Sequence, residues 1–119
     1  MAKLRIVFMG TGDIALPSMR ALLNDVEQPH ELVALVTQPD KPVGRKQVLT
    51  APAIKELALS HDVAVLQPES AREASFLDAL RALQPDVIVV MAYGQILSQA
   101  LLDIPSVACI NLHASLLPK

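Results

Sequence analysis

The chain has 119 residues, 52% of them hydrophobic, and a formal net charge of -2. That length accommodates one domain with its own core and leaves no room for a second. No apolar run approaches the roughly 20 residues that span a bilayer, and a weakly acidic chain has no global attraction for nucleic acid, so any such contact must be local.

The single cysteine, Cys109, cannot close an internal disulfide, and three scattered histidines offer no metal-ligand cluster. The apolar stretch at the N-terminus is short and lacks a small-residue cleavage pattern, so no signal peptide is expected and a cytoplasmic location is.

In chain order, the first buried strand is "LRIVFM" (Leu4–Met9), followed by a helical pattern in which Leu16, Met19 and Leu23 recur, with Pro17 tolerated in the first turn. A second strand, "ELVALVT" (31–37), leads to an aperiodic segment, 38–52, and a helical segment, 52–61. A weaker strand, "VAVLQ" (63–67), precedes a helix marked by Phe76, Leu80 and Leu83. Ser70 and Glu73 before it fit a capping box. Then come "VIVVMA" (87–92), a short helix (98–104) and "ACINLH" (108–113). Near-continuous apolar strands alternating with helices predict an α/β fold: a Rossmann-like, three-layer α/β/α domain with a mostly parallel sheet. In such a sheet the ligand crevice lies outside the carboxyl ends of the strands.

Four strand ends therefore carry the candidate chemistry. "GTGDIA" (10–15) satisfies the relaxed G-x-G-x-x-A fingerprint of dinucleotide sites, yet the second strand ends in "TQPDKP" without the acidic residue that binds a ribose. The stretch reads instead as a tight turn, or as a wall for another substrate. Segment 38–52 concentrates Lys41, Arg45 and Lys46 within six residues; they are either a solvated surface or a phosphate contact. "AYGQIL" (92–97) holds the chain's one tyrosine, Tyr93, and reads either as core packing or as a wall for a flat ligand.

On the last strand, a period of two puts Asn111 and His113 on one face. Asn can donate to a developing oxyanion and His can carry a proton near neutral pH, which suits acyl transfer through a tetrahedral intermediate. Neither Cys109 nor Ser115 is an evident nucleophile, so the attacking group would belong to a substrate.

"FMGTGDIALP", "VTQPDKPVGRK", "VVMAYGQIL" and "CINLHASLLPK" together resemble, in order and spacing, the N-terminal part of the methionyl-tRNA formyltransferase family, over essentially the whole chain. "NLHxSLLP" alone is shared with folate-dependent formyltransferases acting on glycinamide ribonucleotide or amino-sugars. The combination with "TQPDKPxGR" and "AYGxIL" narrows the resemblance.

The resemblance implies formyl transfer from the co-substrate 10-formyltetrahydrofolate to the amine of initiator methionyl-tRNA, without a metal. Asn111 would polarise the formyl carbonyl and His113 would manage the amine proton. Ser115, Leu116, Leu117 and Pro118 match the folate-binding segment, and Tyr93, Gln95, Ile96 and Leu97 match the wall of the pterin pocket. Lys41, Arg45 and Lys46 match the loop that meets the tRNA acceptor end. Residues 10–13 would border the aminoacyl side. Gly12 and Ile14 depart from the family's commoner Pro and Phe.

The family continues past the position of Lys119 to a catalytic Asp and a C-terminal domain, so residues 1–119 read as part of the catalytic domain, with little activity expected alone. The alternatives are another folate-dependent formyltransferase, a non-catalytic folate- or RNA-binding remnant, and, last, a dinucleotide-binding domain. Nothing in the sequence points to an obligate protein partner or to a membrane.

Overall fold

In the computed structural model, which describes residues 3–24 and 30–112, five apolar runs form one parallel sheet: β1 (Leu4–Met9), β2 (His30–Val36), β5 (Ala64–Leu66), β6 (Val87–Val90) and β7 (Ala108–Asn111), in the order β5-β2-β1-β6-β7. The other two strands, β3 (Lys41–Val43) and β4 (Val48–Thr50), make a separate antiparallel hairpin. Strand β1 is central, paired on both sides, and its burial deepens from exposed Leu4 to fully buried Val7, Phe8 and Met9. Strands β1 and β2 are thus best buried near their carboxyl ends, whereas β7 becomes exposed there.

The helices cover both faces because the chain reverses direction along the sheet. Moving from β1 outward to β5 by right-handed crossovers puts α1 (Leu16–Asn24) and α2 (Ala53–Ser60) on one face. Returning past β1 to β6 and β7 puts α3 (Ala74–Ala82) and α4 (Gln99–Leu102) on the other. Strand alternation supplies a core to each layer. Phe8 and Leu35 pack with Met19, Ile54 and Ala58, while Val7, Met9, Val36, Ile88 and Val90 pack with Phe76, Leu77, Leu80 and Leu101.

The far edge is pinned by Asp86, whose carboxylate accepts from the Arg5 N–H at 2.8 Å and from the Ser106 hydroxyl at 2.6 Å. The Ser106 hydrogen bond, then that of the Arg5 N–H, holds this carboxyl below the usual aspartate range.

Two expectations need correction. Segment 38–52 is not irregular: it contains the β3–β4 hairpin, closed by a turn at residues 44–47 with Gly44 at φ +76° and Gln47 at φ +52°. Its strands escape a periodicity search because each has three residues, both are exposed, and Pro42 removes one backbone donor. The capping box at Ser70 also forms without starting the helix. Glu73 accepts from the Ser70 N–H at 3.1 Å, and the Ser70 hydroxyl accepts from the Arg72 N–H at 3.1 Å. Glu73 is then extended (φ -61°, ψ 132°), so the box closes a turn and α3 begins at Ala74.

Candidate active site

The order β5-β2-β1-β6-β7 puts the topological switch between β1 and β6, where the crossover helices leave on opposite faces. The loops that follow these two strands meet there. The N–H groups of Thr11 and Gly12 both donate to the Ala92 carbonyl, at 2.9 and 3.2 Å. Those are the groups a dinucleotide phosphate would need, and they are already used inside the protein.

Gly10 is required by close approach: a Cβ there would stand 2.7 Å from the Phe8 ring and 2.8 Å from the Met91 carbonyl. Gly12 has an ordinary φ of -69° with 3.4 Å of room beside Ala92, and Ile14 is 54% exposed, so both departures from the family pattern sit where packing tolerates them.

Around this junction runs a row of polar side chains from the ends of β1, β2 and β5. The Thr11 hydroxyl donates to the Tyr93 carbonyl at 3.0 Å and accepts from the Gln38 N–H at 3.1 Å. Gln67 donates to the Gln38 carbonyl at 3.1 Å and to Asp40 at 2.7 Å. Asp40 also pairs with Lys55 at 3.2 Å. The hydrogen bond from Gln67, then that from Lys55, holds the Asp40 carboxyl below the usual aspartate range. Thus the residue that leads into the hairpin is tied to β5 and α2. Sequence reasoning missed this row. Its signal was positional, since Thr11, Gln38 and Gln67 each stand one or two residues past a strand.

Of the residues expected at the folate side, Asn111 ends β7, paired in register with Val90, and is exposed. The Leu112 N–H donates to the Val90 carbonyl at 2.7 Å, so ladder pairing continues one residue beyond the strand. Asn111 shares a cavity of about 410 Å³ with Gln95, Ile96, Leu97, Val90, Leu102 and Cys109. The structure therefore brings together the proposed oxyanion donor and three of the four residues expected from the pterin wall. Burial pushes the Cys109 thiol up, away from the reactive thiolate.

The fourth, Tyr93, is turned away. It is 2% exposed and packed in the core with Phe76, Leu77 and Leu101. Among the described residues its hydroxyl has no hydrogen-bond partner. Burial first, and the nearby Glu73 carboxylate second, push its pKa to about 12. The Tyr93 carbonyl is used inside the protein, accepting from the Thr11 hydroxyl and from the Gln38 amide. His113, Ser115, Leu116, Leu117 and Pro118 lie outside the described residues.

Lys41, Arg45 and Lys46 are all exposed on the hairpin, with Arg45 and Lys46 at its tip. The Gln47 side chain donates to the Gly44 carbonyl at 2.9 Å and holds that tip in shape. The base of the hairpin folds beside the β1 loop: Thr11, Pro39, Lys41, Val43, Thr50 and Pro52 line a cleft of about 200 Å³. Among the described residues no group of three or more His, Cys, Asp or Glu could hold a metal ion, and no helix is long and apolar enough to cross a membrane.

A doubly wound parallel sheet whose last described strand brings an Asn to a carboxyl-edge cavity defines a Rossmann-like α/β domain. The chain belongs to the formyl transferase family, whose profile it matches over residues 4–119. It is 60% identical over 116 residues to a methionyl-tRNA formyltransferase of Akkermansia muciniphila, covering 98% of this chain and 36% of that protein. It is 55% identical over 119 residues to the protein of the same name in Geobacter sulfurreducens, covering 100% of this chain and 37% of the relative. The corresponding Bacillus subtilis protein is 54% identical over 115 residues, covering 97% of this chain and 35% of the relative. The chain thus spans little more than a third of the length of these curated relatives.

Among solved structures, glycinamide ribonucleotide transformylase 1 from Geobacillus kaustophilus superposes with a TM-score of 0.68 at 21% identity. The match covers 98% of this chain and 61% of that one, a likeness of fold.

Proposed function

We propose that this chain supplies the oxyanion and folate side of a site that transfers a formyl group from 10-formyltetrahydrofolate to the amine of methionyl-tRNA, the modification that prepares it for translation initiation. The observation that carries the reading is the position of Asn111, exposed at the end of β7 on the cavity lined by Gln95, Ile96 and Leu97. The apolar side chains of Ile96, Leu97 and Leu102 suit the flat face of a pterin, and Asn111 supplies a polar group at its edge. The names of the relatives above support methionyl-tRNA as acceptor. The basic tip of the hairpin, with Arg45 able to grip phosphate bidentately, supports a contact with its acceptor end.

The chemistry follows from these parts. The neutral amine of the methionyl ester attacks the formyl carbon, its N–C bond forms, and the carbonyl oxygen becomes an oxyanion. The Asn111 amide N–H donates to that oxygen, strengthening as charge develops. Collapse breaks the bond from carbon to N10 of the folate. The proton lost by the amine passes to N10, and His113, two residues after Asn111 in the sequence, is the group suited to carry it. No nucleophile of the protein enters the sequence.

The test is to incubate the full-length protein with 10-formyltetrahydrofolate labelled in the formyl group and to offer methionyl-tRNA, glycinamide ribonucleotide or an amino-sugar nucleotide. Label on the methionyl amine is expected. Label on either other acceptor would move the protein to another formyltransferase class, and saturable NAD binding with no response to folate would overturn the reading.

A further inference from the structure

The cavity wall is held by a pair of glutamine amides. Gln95 belongs to the wall, yet its amide points into the scaffold. Its Oε1 accepts from the Ala71 N–H at 2.8 Å, and its Nε2 donates to the Glu69 carbonyl at 3.0 Å and to Gln38 Oε1 at 3.0 Å. Both of its N–H bonds are therefore used. The amide of Gln38 in turn donates to the Tyr93 carbonyl at 3.2 Å.

Gly94, between the two anchoring points, has φ +102°, and a Cβ there would lie 2.9 Å from Gln38 Nε2. Glycine at this position thus gives the Gln38 amide its place. The main chain of Gln38 is fixed independently, its N–H by Thr11 and its carbonyl by Gln67. Three loops, from β2, β5 and β6, converge on the one amide pair.

We propose that Gln38 and Gln95 form a clasp that sets the position of Ile96 and Leu97 relative to Asn111, making Gln38 a positioning residue for the folate although it does not line the cavity. The inference rests on the reading of that cavity as the folate site. Because Gln38 also leads directly into the hairpin, the clasp joins the base of the basic hairpin to the folate wall.

The test uses the full-length protein with Gln38→Met, Gln95→Met, the double variant and Gly94→Ala. Two measurements are made: equilibrium titration with 10-formyltetrahydrofolate, and hydrogen exchange of residues 93–97 without ligand. Each single variant should weaken folate binding about tenfold, the scale of one or two lost hydrogen bonds. The double variant should be no weaker than the weaker single, because both changes open the same clasp. The KM for folate should rise while that for methionyl-tRNA stays within about twofold. Exchange at residues 93–97 should quicken in every variant.

Multiplying losses in the double variant, or parental folate affinity in Gln38→Met, would overturn the clasp. So would unchanged exchange at 93–97, which is read without any ligand. An unmodified protein that fails to bind folate while the variants still loosen 93–97 would instead overturn the functional reading and leave the clasp standing. Should Gln38→Met fail to fold, Gly94→Ala displaces the same amide and decides the matter.

Discussion

Asn111 and Tyr93 show how burial assigns roles at the scale of single residues. Both stand at carboxyl ends of neighbouring strands, yet Asn111 is exposed on the cavity while Tyr93 is 2% exposed with its hydroxyl unpartnered among the described residues. A buried hydroxyl without a partner costs free energy, so Tyr93→Phe should leave stability unchanged or raise it by roughly 1 kcal/mol in urea denaturation. The pH dependence has a definite sign. The folded-state pKa is raised to about 12 from an ordinary 10.0, so the folded protein holds the phenolic proton more tightly than the unfolded chain. This stabilisation is complete below pH 10 and is lost as the pH rises toward 12. Tyr93→Phe should flatten the alkaline loss of stability, and an unchanged alkaline profile would contradict the assignment.

Gly94 gives the opposite expectation. Its φ of +102° and the 2.9 Å approach to Gln38 mean that Gly94→Ala should cost roughly 1–3 kcal/mol, measured the same way. The tyrosine's ambiguity was legible from sequence, since both the core and the wall readings were open. Its resolution was not, because the direction of one side chain depends on Phe76, Leu77 and Leu101 arriving from elsewhere in the chain.

At the scale of elements, the long apolar runs announced themselves and the short polar ones did not. β1 was legible to the residue because "VFM" is buried from both sides by α1, α2 and α3, which demands continuous hydrophobicity. β5 proved shorter than its apolar run because Val63 leaves the ladder to pack in the core beside α2. The hairpin was hidden by its exposure: Val43, Val48 and Leu49 are 50–69% exposed, and no buried face imposes a period on them.

An exposed hairpin carrying Arg45 and Lys46 can be altered without disturbing the core. Arg45→Glu should therefore weaken methionyl-tRNA use several-fold, more so at low salt, and leave folate affinity unchanged. A folate defect would refute the division of labour. The hairpin's attachment should also respond to acid. Asp40 is held below its ordinary pKa of 3.8 by Gln67 and Lys55, so its contribution is present above that value and is lost as the pH falls through the lowered folded-state pKa. Protection factors across β3 and β4, corrected for the intrinsic slowing of amide exchange in acid, should accordingly fall as the Asp40 carboxylate is protonated in the parent and already be low at neutral pH in Asp40→Ala.

On the scale of the whole molecule, the strand order β5-β2-β1-β6-β7 brings segments distant in sequence together at one edge of the sheet. Residues 82 positions apart, Thr11 and Tyr93, become hydrogen-bonded because β1 and β6 are adjacent. The same adjacency uses the Thr11 and Gly12 N–H groups of the glycine-rich turn inside the protein, so the dinucleotide fingerprint here is a structural turn. The motifs were legible because each is contiguous. The row Thr11, Gln38, Gln67 and Gln95 was not, because a polar network has no period and its members meet only after the sheet has formed.

In the proposed reaction, Asn111 is the group that meets the developing oxyanion. The most direct test is single-turnover transfer of the formyl group to methionyl-tRNA by the full-length Asn111→Ala protein, with folate affinity measured in parallel. The rate should fall by roughly 10²–10³, the effect of deleting one oxyanion donor, while the Kd for 10-formyltetrahydrofolate changes only several-fold. Transfer at the parental rate, or a loss explained wholly by weaker folate binding, would contradict it.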